Sequence, residues 1–194
     1  MQRLIERLLE GERHLGKGMV RVSDFLNHQV DAALLAECGQ ALAARWRDYG
    51  LTKVLTAETS GIAPALAVAT ALGLPLVFAR KRRLGTLGAD VYSATAPSPT
   101  HGGSFDLVVA SSFLQPNDRV LVVDDILASG RTIVALHDII QQARAQLVGI
   151  AAIVEKGYSN GRRDLARYQV PITSLAVIEQ ADENGLQVRP GIDA

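Results

Sequence analysis

The hydrophobic positions along the chain follow two patterns, one typical of amphipathic helices and one typical of buried strands. In residues 2–10 and 31–47 the apolar positions recur three and four residues apart, which predicts amphipathic helices. Residues 62–72 and 130–145 are predicted to form two further helices. Pro64 suits the first turn of its helix, because the N–H that proline lacks has no helical partner there.

Short apolar runs between these helices predict strands. They cover residues 51–58, 74–80, 106–112, 119–125, 147–156 and 173–179. Because these runs are almost continuously apolar, both faces of the sheet must be covered, as in a parallel α/β sheet. The prediction is an α/β fold with a mostly parallel sheet flanked by helices. A chain of 194 residues is long enough for one core, so we expect one domain over residues 1–194.

Residues 81–104 interrupt this alternation. They are rich in Gly, Ser, Thr, Pro and Arg, and contain only a weak strand-like stretch at 91–94. A segment of this length in a compact domain is usually a functional loop or hairpin rather than an inert linker. We therefore predict a mobile functional loop over about residues 81–104.

Composition and charge exclude several classes of protein. Lys and Arg number 20, as do Asp and Glu, so no global field favours nucleic acid or an anionic membrane. No apolar run reaches the roughly 20 residues that span a bilayer, and the N-terminus lacks a signal-peptide core. The single cysteine, Cys38, excludes an internal disulfide and fits a reducing compartment. These features predict a cytoplasmic protein without nucleic-acid or membrane partners.

Candidate chemistry is concentrated in VLVVDDILASGRT, residues 120–132. Asp124 and Asp125 follow a buried strand, and ligands of α/β sheets bind beyond the carboxyl ends of such strands. The small residues 128–130 let a phosphate approach the N-terminus of the next helix, where free N–H groups favour anions. Two carboxylates would repel that phosphate, so they suit sugar hydroxyls or a hydrated Mg²⁺. The combination predicts a ribose 5-phosphate site; the alternative is an acid pair that only caps a turn.

This stretch resembles the thirteen-residue signature of the type I phosphoribosyltransferases. Four other stretches resemble the bacterial xanthine phosphoribosyltransferases: VSDFLNHQVD (22–31), TAETSGIAPALA (56–67), LPLVFARK (74–81) and IVEKGY (153–158). The resemblance implies the type I fold, with a base-binding hood formed by about residues 1–50 and the C-terminal end. It also implies pentosyl transfer in purine salvage: xanthine and 5-phosphoribosyl 1-diphosphate give XMP and pyrophosphate. Mg²⁺ as cofactor and a homodimer are implied as well.

The same resemblance implies residue roles at the cosubstrate. Five consecutive residues would bind the 5′-phosphate: Ala128, Ser129, Gly130, Arg131 and Thr132. The acid pair Asp124 and Asp125 would contact the ribose hydroxyls, and it is the candidate catalytic pair. A tight loop would bind the pyrophosphate end: Thr59, Ser60 and Gly61. Apart from the resemblance, Arg80 or Lys81, in the basic run that opens the long loop, would contact the leaving pyrophosphate because it carries several negative charges; the alternative is a solvated edge of the sheet.

Three residues are implied at the purine. Asn27 would hydrogen-bond the base, Val20 would line it where the family commonly has leucine, and Lys156 would donate to the oxygen at purine C6. Considered alone, Asn27 could be a turn or cap residue, and Lys156 could be a solvated strand end. Lysine is a donor only, so it accepts a 6-oxopurine and leaves the amino group of adenine poorly matched.

Other interpretations remain open at this stage. One is a phosphoribosyltransferase for another purine, such as guanine or hypoxanthine. A second is a non-catalytic regulator that senses the cosubstrate, although the chain has neither spare length nor a basic face for a nucleic-acid module. A Rossmann-type domain is disfavoured, because no G-x-G-x-x-G follows a predicted strand.

Overall fold

A six-stranded, mostly parallel sheet forms the centre of the structure. The computed structural model describes residues 1–10, 18–81, 90–97, 103–183 and 185–191. The strand order in the main sheet is β2-β1-β5-β6-β7-β8. Its strands are β1 (Lys53–Ala57), β2 (Leu76–Ala79), β5 (Arg119–Leu127), β6 (Gln146–Lys156), β7 (Ile172–Asp182) and β8 (Gly185–Pro190). Every neighbouring pair is parallel except β7 with β8, which confirms the predicted fold class.

Five α-helices accompany the sheet in the described part of the chain. They are α1 (Gln2–Leu9), α2 (Ala32–Trp46), α3 (Ile62–Leu72), α4 (Arg131–Gln142) and α5 (Gly161–Leu165). A short π-helix over Ser23–Asn27 precedes α2, whose first turn is capped by the Asp31 carboxylate accepting from the N–H of Leu34. The four helices predicted from periodicity are therefore confirmed.

The segment between β2 and β5 differs from the sequence prediction. Val91–Pro97 forms strand β3, which pairs antiparallel with β4 (Ser104–Ala110) in a separate two-stranded sheet. The weak strand-like stretch at 91–94 is therefore part of β3, and its antiparallel pairing agrees with the hairpin that was considered for residues 81–104. The strand predicted over 106–112 does not join the parallel sheet, because β4 belongs to the two-stranded sheet. The stretch YSATA, residues 92–96, contains few large apolar side chains, so the sequence did not indicate that this strand packs on α4. Residues 82–89 and 98–102 lie outside the described residues.

Two apolar clusters cover the two faces of the main sheet. Leu121 and Val123 of β5 pack on the cluster that includes α1, the π-helix, α2 and α3. Val120 and Val122 point the other way, into the cluster formed with α4 and the β3–β4 hairpin. The sheet is therefore covered on both faces, as its almost continuously apolar strands predicted.

Candidate active site

The candidate site lies where the order of strands in the sheet reverses. The chain passes from β1 outward to β2, and then returns to the other side of β1 with β5. The carboxyl ends of β1 and β5 therefore flank a crevice, which is the usual ligand position in an open α/β sheet. The loop Thr59–Gly61 follows β1, and Asp124 and Asp125 lie in the last residues of β5.

Asp125 joins three segments that are distant in sequence. Its carboxylate accepts a hydrogen bond from Asn27 Nδ2 at 2.7 Å and one from Ser60 Oγ at 3.1 Å. Asn27 ends the π-helix, so Asp125 faces the N-terminal segment. Only 6% of Asp125 is exposed. The predicted base residue, ribose residue and pyrophosphate-loop residue are thus brought together at one carboxylate.

Asp124 lies beside the glycine of the pyrophosphate loop. A Cβ atom on Gly61 would lie 3.0 Å from Asp124 Oδ1 and 2.2 Å from the buried Thr56 hydroxyl, so only glycine fits. Burial, and then the neighbouring charge of Asp125, raise the pKa of Asp124 well above its usual range. The backbone N–H of Asp125 donates to Asp124 Oδ1 at 3.0 Å. The crevice therefore holds two closely spaced carboxyl groups whose mutual repulsion a cation or hydroxyl donors would relieve.

The predicted phosphate loop has the backbone of an anion cradle. Gly130 has a φ of 72°, in the left-handed region, and directly precedes the first turn of α4. The N–H groups of that turn have no acceptor four residues earlier within the helix, so they are free to bind an anion. A cavity of about 660 Å³ adjoins the loop, and its lining includes Ser129, Arg131 and Tyr158.

Lys156 is fixed against the N-terminal segment. Its Nζ donates to the carbonyl of Gly18 at 3.0 Å, and the hydroxyl of Tyr158 donates to the same oxygen at 2.6 Å. Burial lowers the pKa of Lys156 and raises the pKa of Tyr158. Val20, close by in sequence, packs against the core cluster that contains Phe25 and Ile178. The end of β6 and the segment proposed to cover the base are therefore in direct contact.

The basic run beyond β2 lies beside the pyrophosphate loop through Glu58. The Glu58 carboxylate accepts a hydrogen bond from the backbone N–H of Lys81 and lies 3.6 Å from Arg80 Nε. The ammonium of Lys81 is 5.0 Å from the centre of the Phe105 ring. The peptide bond between Glu58 and Thr59 is cis. Arg82 and Arg83 lie outside the described residues.

The sequence analysis missed two elements that complete the surroundings of the site. Helix α5 contacts the phosphate loop, because Gly161 N–H donates to the carbonyl of Ala128 at 2.9 Å. Strand β8 returns antiparallel along β7. The Asn-Gly dipeptides at 160–161 and 184–185 are turn signals that could have indicated both. Tyr158 ends the stretch IVEKGY, but nothing in the sequence indicates that its hydroxyl contacts Gly18.

This fold and this crevice define a class of protein. A loop with the backbone of an anion cradle, an acid pair and a tight glycine loop surround the switch point of a parallel sheet. This arrangement is suited to a phosphorylated sugar with a second anionic group. Residues 27–186 match the family described as "Phosphoribosyl transferase domain". The chain belongs to this family.

Similar curated proteins extend the match over the full chain. The chain is 42% identical to a xanthine phosphoribosyltransferase of Deinococcus deserti over 188 residues, 97% of each chain. It is 41% identical to a xanthine phosphoribosyltransferase of Streptococcus agalactiae over 194 residues, 100% of each chain. The resemblance noted in the sequence is thereby confirmed.

Solved structures of the same fold include purine enzymes. The APRTase from Giardia lamblia complexed with 9-deazaadenine superimposes with a TM-score of 0.71 at 26% identity. The superposition covers 88% of this chain and 92% of that chain.

No helix within the described residues is both long and apolar enough to cross a membrane.

Proposed function

We propose that the protein is a xanthine phosphoribosyltransferase. It transfers the phosphoribosyl group of 5-phospho-α-D-ribose 1-diphosphate to N9 of xanthine, and XMP and pyrophosphate are released. The observation that supports this most strongly is the full-length similarity, at about 40% identity, to proteins of that name. From its membership of the family we also propose that the protein is cytoplasmic and forms a homodimer.

Three groups of site residues bind three parts of the cosubstrate: the 5′-phosphate, the ribose and the diphosphate. The backbone of residues 128–132 binds the 5′-phosphate, where the left-handed Gly130 opens the first turn of α4. Asp124 and Asp125 bind the ribose hydroxyls, and Thr59–Gly61 binds the diphosphate. Lys81 lies beyond the next strand end and approaches the same diphosphate. These groups accelerate the reaction by positioning the two substrates, and no nucleophilic side chain of the protein is needed.

The purine is bound between the N-terminal segment and the end of β6. Lys156 donates to the oxygen at C6, Asn27 hydrogen-bonds the base, and Val20 lines the apolar wall. In the reaction the N9–C1′ bond forms as the bond from C1′ to the diphosphate oxygen breaks, and the N9 proton passes to solvent. Charge at C1′ is oxocarbenium-like in the transition state, as in other glycosyl transfers.

Mg²⁺ fits this donor set as a substrate-bound ion. Within the described residues no group of three or more His, Cys, Asp or Glu side chains could hold a metal, so most ligands would come from diphosphate, ribose and water. The two adjacent carboxyl groups, with the raised pKa of Asp124, are suited to a nearby cation. When bound, Mg²⁺ supplies neutralisation of charge on the departing diphosphate.

An adenine enzyme is the second candidate, because the Giardia structure holds an adenine analogue. Lys156 favours xanthine over adenine, since an ammonium donates to an oxo group and clashes with an amino donor. Guanine and hypoxanthine share the C6 oxygen, so Lys156 does not separate them from xanthine.

Pyrophosphate release with each base in turn tests the proposal. The protein is incubated with 5-phosphoribosyl 1-diphosphate, Mg²⁺ and xanthine, guanine, hypoxanthine or adenine. We expect kcat/KM to be highest for xanthine and about 10⁴-fold lower for adenine, because a mispaired buried donor is rejected that strongly. If another base has the highest kcat/KM, the proposed reaction stands and that base replaces xanthine as the substrate. Cosubstrate binding without release with any base would indicate a regulator.

A further inference from the structure

An ion pair between a buried carboxylate and a partly exposed guanidinium, whose side chain is 27% exposed, lies between the base site and the phosphate loop. Glu155, the residue before Lys156 in β6, is only 3% exposed. Its two carboxylate oxygens accept hydrogen bonds from Nε and Nη2 of Arg162, both at 2.7 Å. Ser174 adds a third hydrogen bond at 2.8 Å, and Arg162 Nη1 donates to the carbonyl of Ile172 at 2.9 Å. We call Glu155, Arg162 and Ser174 the Glu155 cluster.

One side of the Glu155 cluster contacts strands at the site. Glu155 pairs in register with Leu127, the last residue of β5, which directly precedes Ala128. Its other neighbour in the chain is Lys156, whose ammonium contacts Gly18. A displacement of Glu155 would therefore shift both the lysine proposed for the purine and the start of the phosphate loop.

The other side of the cluster is α5, which supports the phosphate loop. The N–H of Gly161, next to Arg162, donates to the carbonyl of Ala128 at 2.9 Å. A Cβ atom on Gly161 would lie 2.1 Å from that oxygen and 3.0 Å from the N atom of Gly130. Leu165, one turn further along α5, is packed so closely that a Cβ on Gly130 would lie 3.0 Å from its Cδ1. The backbone of the loop and that of α5 are therefore in van der Waals contact.

Stability alone does not account for a charge pair in this place. Desolvation of the buried Glu155 carboxylate offsets much of its attraction to Arg162, and apolar side chains of similar volume are often equally stable in such a place. What the bidentate pair does provide is a fixed geometry, because the planar guanidinium matches the carboxylate in only a few orientations.

We propose that Glu155 and Arg162 are positioning residues that hold Lys156 and the phosphate loop in a fixed relation to each other. They contact neither substrate directly. Through β6 they orient the lysine that recognises the purine, and through α5 they hold the carbonyl of Ala128 and the amides that bind the 5′-phosphate. The inference rests on the proposed function, because it gives both contacts to one reaction.

The double variant Glu155→Met/Arg162→Met tests this inference. It replaces both charges with apolar chains, so that neither partner is left buried without the other. We expect a folded protein, with the KM for 5-phosphoribosyl 1-diphosphate and the KM for xanthine each raised about tenfold, since displacement of a positioned group by about 1 Å is costly. Arg163→Met is the matched control, because Arg163 is the next residue of α5 and its side chain is 74% exposed.

Arg162→Lys provides a second variant that keeps the charge and loses the bidentate geometry. We expect it to raise the same two KM values about threefold, with a melting temperature close to that of the wild type. Both KM values within twofold of wild type in Arg162→Lys, or in a folded double variant, would overturn the inference. A melting temperature that falls while both KM values stay constant would show a structural role only.

Direct binding separates this inference from the proposed function. Calorimetry with 5-phosphoribosyl 1-diphosphate and Mg²⁺ measures the phosphate loop without any turnover. If the wild type releases no pyrophosphate, the proposed function fails, yet a weaker affinity in Arg162→Lys than in Arg163→Met would still support the positioning role. If the wild type is active and the affinities are equal, only the positioning role fails.

Discussion

At the scale of single residues, the site brings together groups that repel or crowd each other and that a bound ligand would stabilise. Asp124 and Asp125 are adjacent, and burial together with the second negative charge raises the pKa of Asp124. Gly61 leaves space for the Asp124 carboxyl group and for the Thr56 hydroxyl, with which a Cβ atom would collide. Such a cluster costs stability in the free protein, and that cost is typical of sites prepared for a ligand.

Asp124→Asn should stabilise the protein and impair the reaction. A carboxyl group with a raised folded-state pKa favours folding at low pH, and this contribution is lost as the pH rises from about 3.9 through the raised value. The uncharged amide avoids that loss. We expect a gain of about 1 kcal/mol at pH 7, or roughly 2–4 °C in Tm for a chain of this size, and no gain at acid pH.

The activity of Asp124→Asn should change in the opposite direction. Loss of a carboxylate proposed to contact the ribose lowers kcat at least about tenfold. Thermal unfolding from pH 3 to pH 8 and pyrophosphate release measure the two effects. Asp48→Asn is the control, because Asp48 is exposed and precedes β1, at the opposite end of the strands from the acid pair. A lower Tm for Asp124→Asn at pH 7 would contradict the assignment of repulsion.

At the scale of elements, two short segments decide the shape of the site. The phosphate loop is held between the end of β5 and α5, and its left-handed residue, Gly130, lies against Leu165. The π-helix over Ser23–Asn27 brings Asn27 to Asp125, 98 residues away in sequence. The site therefore depends on two short segments that contact β5 from different parts of the chain.

Comparison of Gly130→Ala with Gly73→Ala separates backbone strain from an effect on the phosphate loop. Both glycines have left-handed φ angles, 72° and 68°, so each alanine should cost roughly 1–2 kcal/mol of stability. A Cβ on Gly73 meets nothing within 4 Å, whereas one on Gly130 presses on Leu165.

We therefore expect a KM for 5-phosphoribosyl 1-diphosphate that is raised about tenfold in Gly130→Ala and unchanged in Gly73→Ala. Steady-state kinetics and urea unfolding of both variants provide the measurements. Equal KM values in the two variants would remove residues 128–132 from the cosubstrate site.

At the scale of the whole molecule, the layers are packed through a few close contacts. Trp46, at the end of α2, lies against Gly149 near the start of β6. A Cβ atom on Gly149 would lie 2.0 Å from Cη2 of the indole, so the helix layer approaches the sheet closely only because this residue is glycine. The contact is remote from the acid pair, at the other end of the strands.

Gly149→Ala should therefore destabilise the protein without altering its chemistry. Overpacking of this kind costs about 1–3 kcal/mol, and Trp46→Phe in the same chain should recover part of it by removing the colliding ring. Thermal unfolding of the wild type, both single variants and the double variant completes the cycle. Strictly additive effects would show that the two residues do not meet, and kcat should stay within twofold in every folded variant.

The sequence by itself determined the local features of this protein. The hydrophobic pattern predicted four helices and the strands of a parallel sheet, because it reflects which faces of each element are buried. The order of apolar strand, acid pair, small residues and helix in residues 120–132 predicted the phosphate loop, since all of its parts are adjacent in the chain. The roles of the individual site residues stay predictions until they are measured.

Only the tertiary structure decided how distant segments meet. Asn27 reaches Asp125, Lys156 reaches Gly18 across 138 positions, and Arg162 closes on Glu155 beside the site. Val91–Pro97 became a strand because its hairpin partner and α4 cover it, although its own alternation is weak. Such contacts depend on where packing places whole elements, and no local pattern in the sequence encodes that placement.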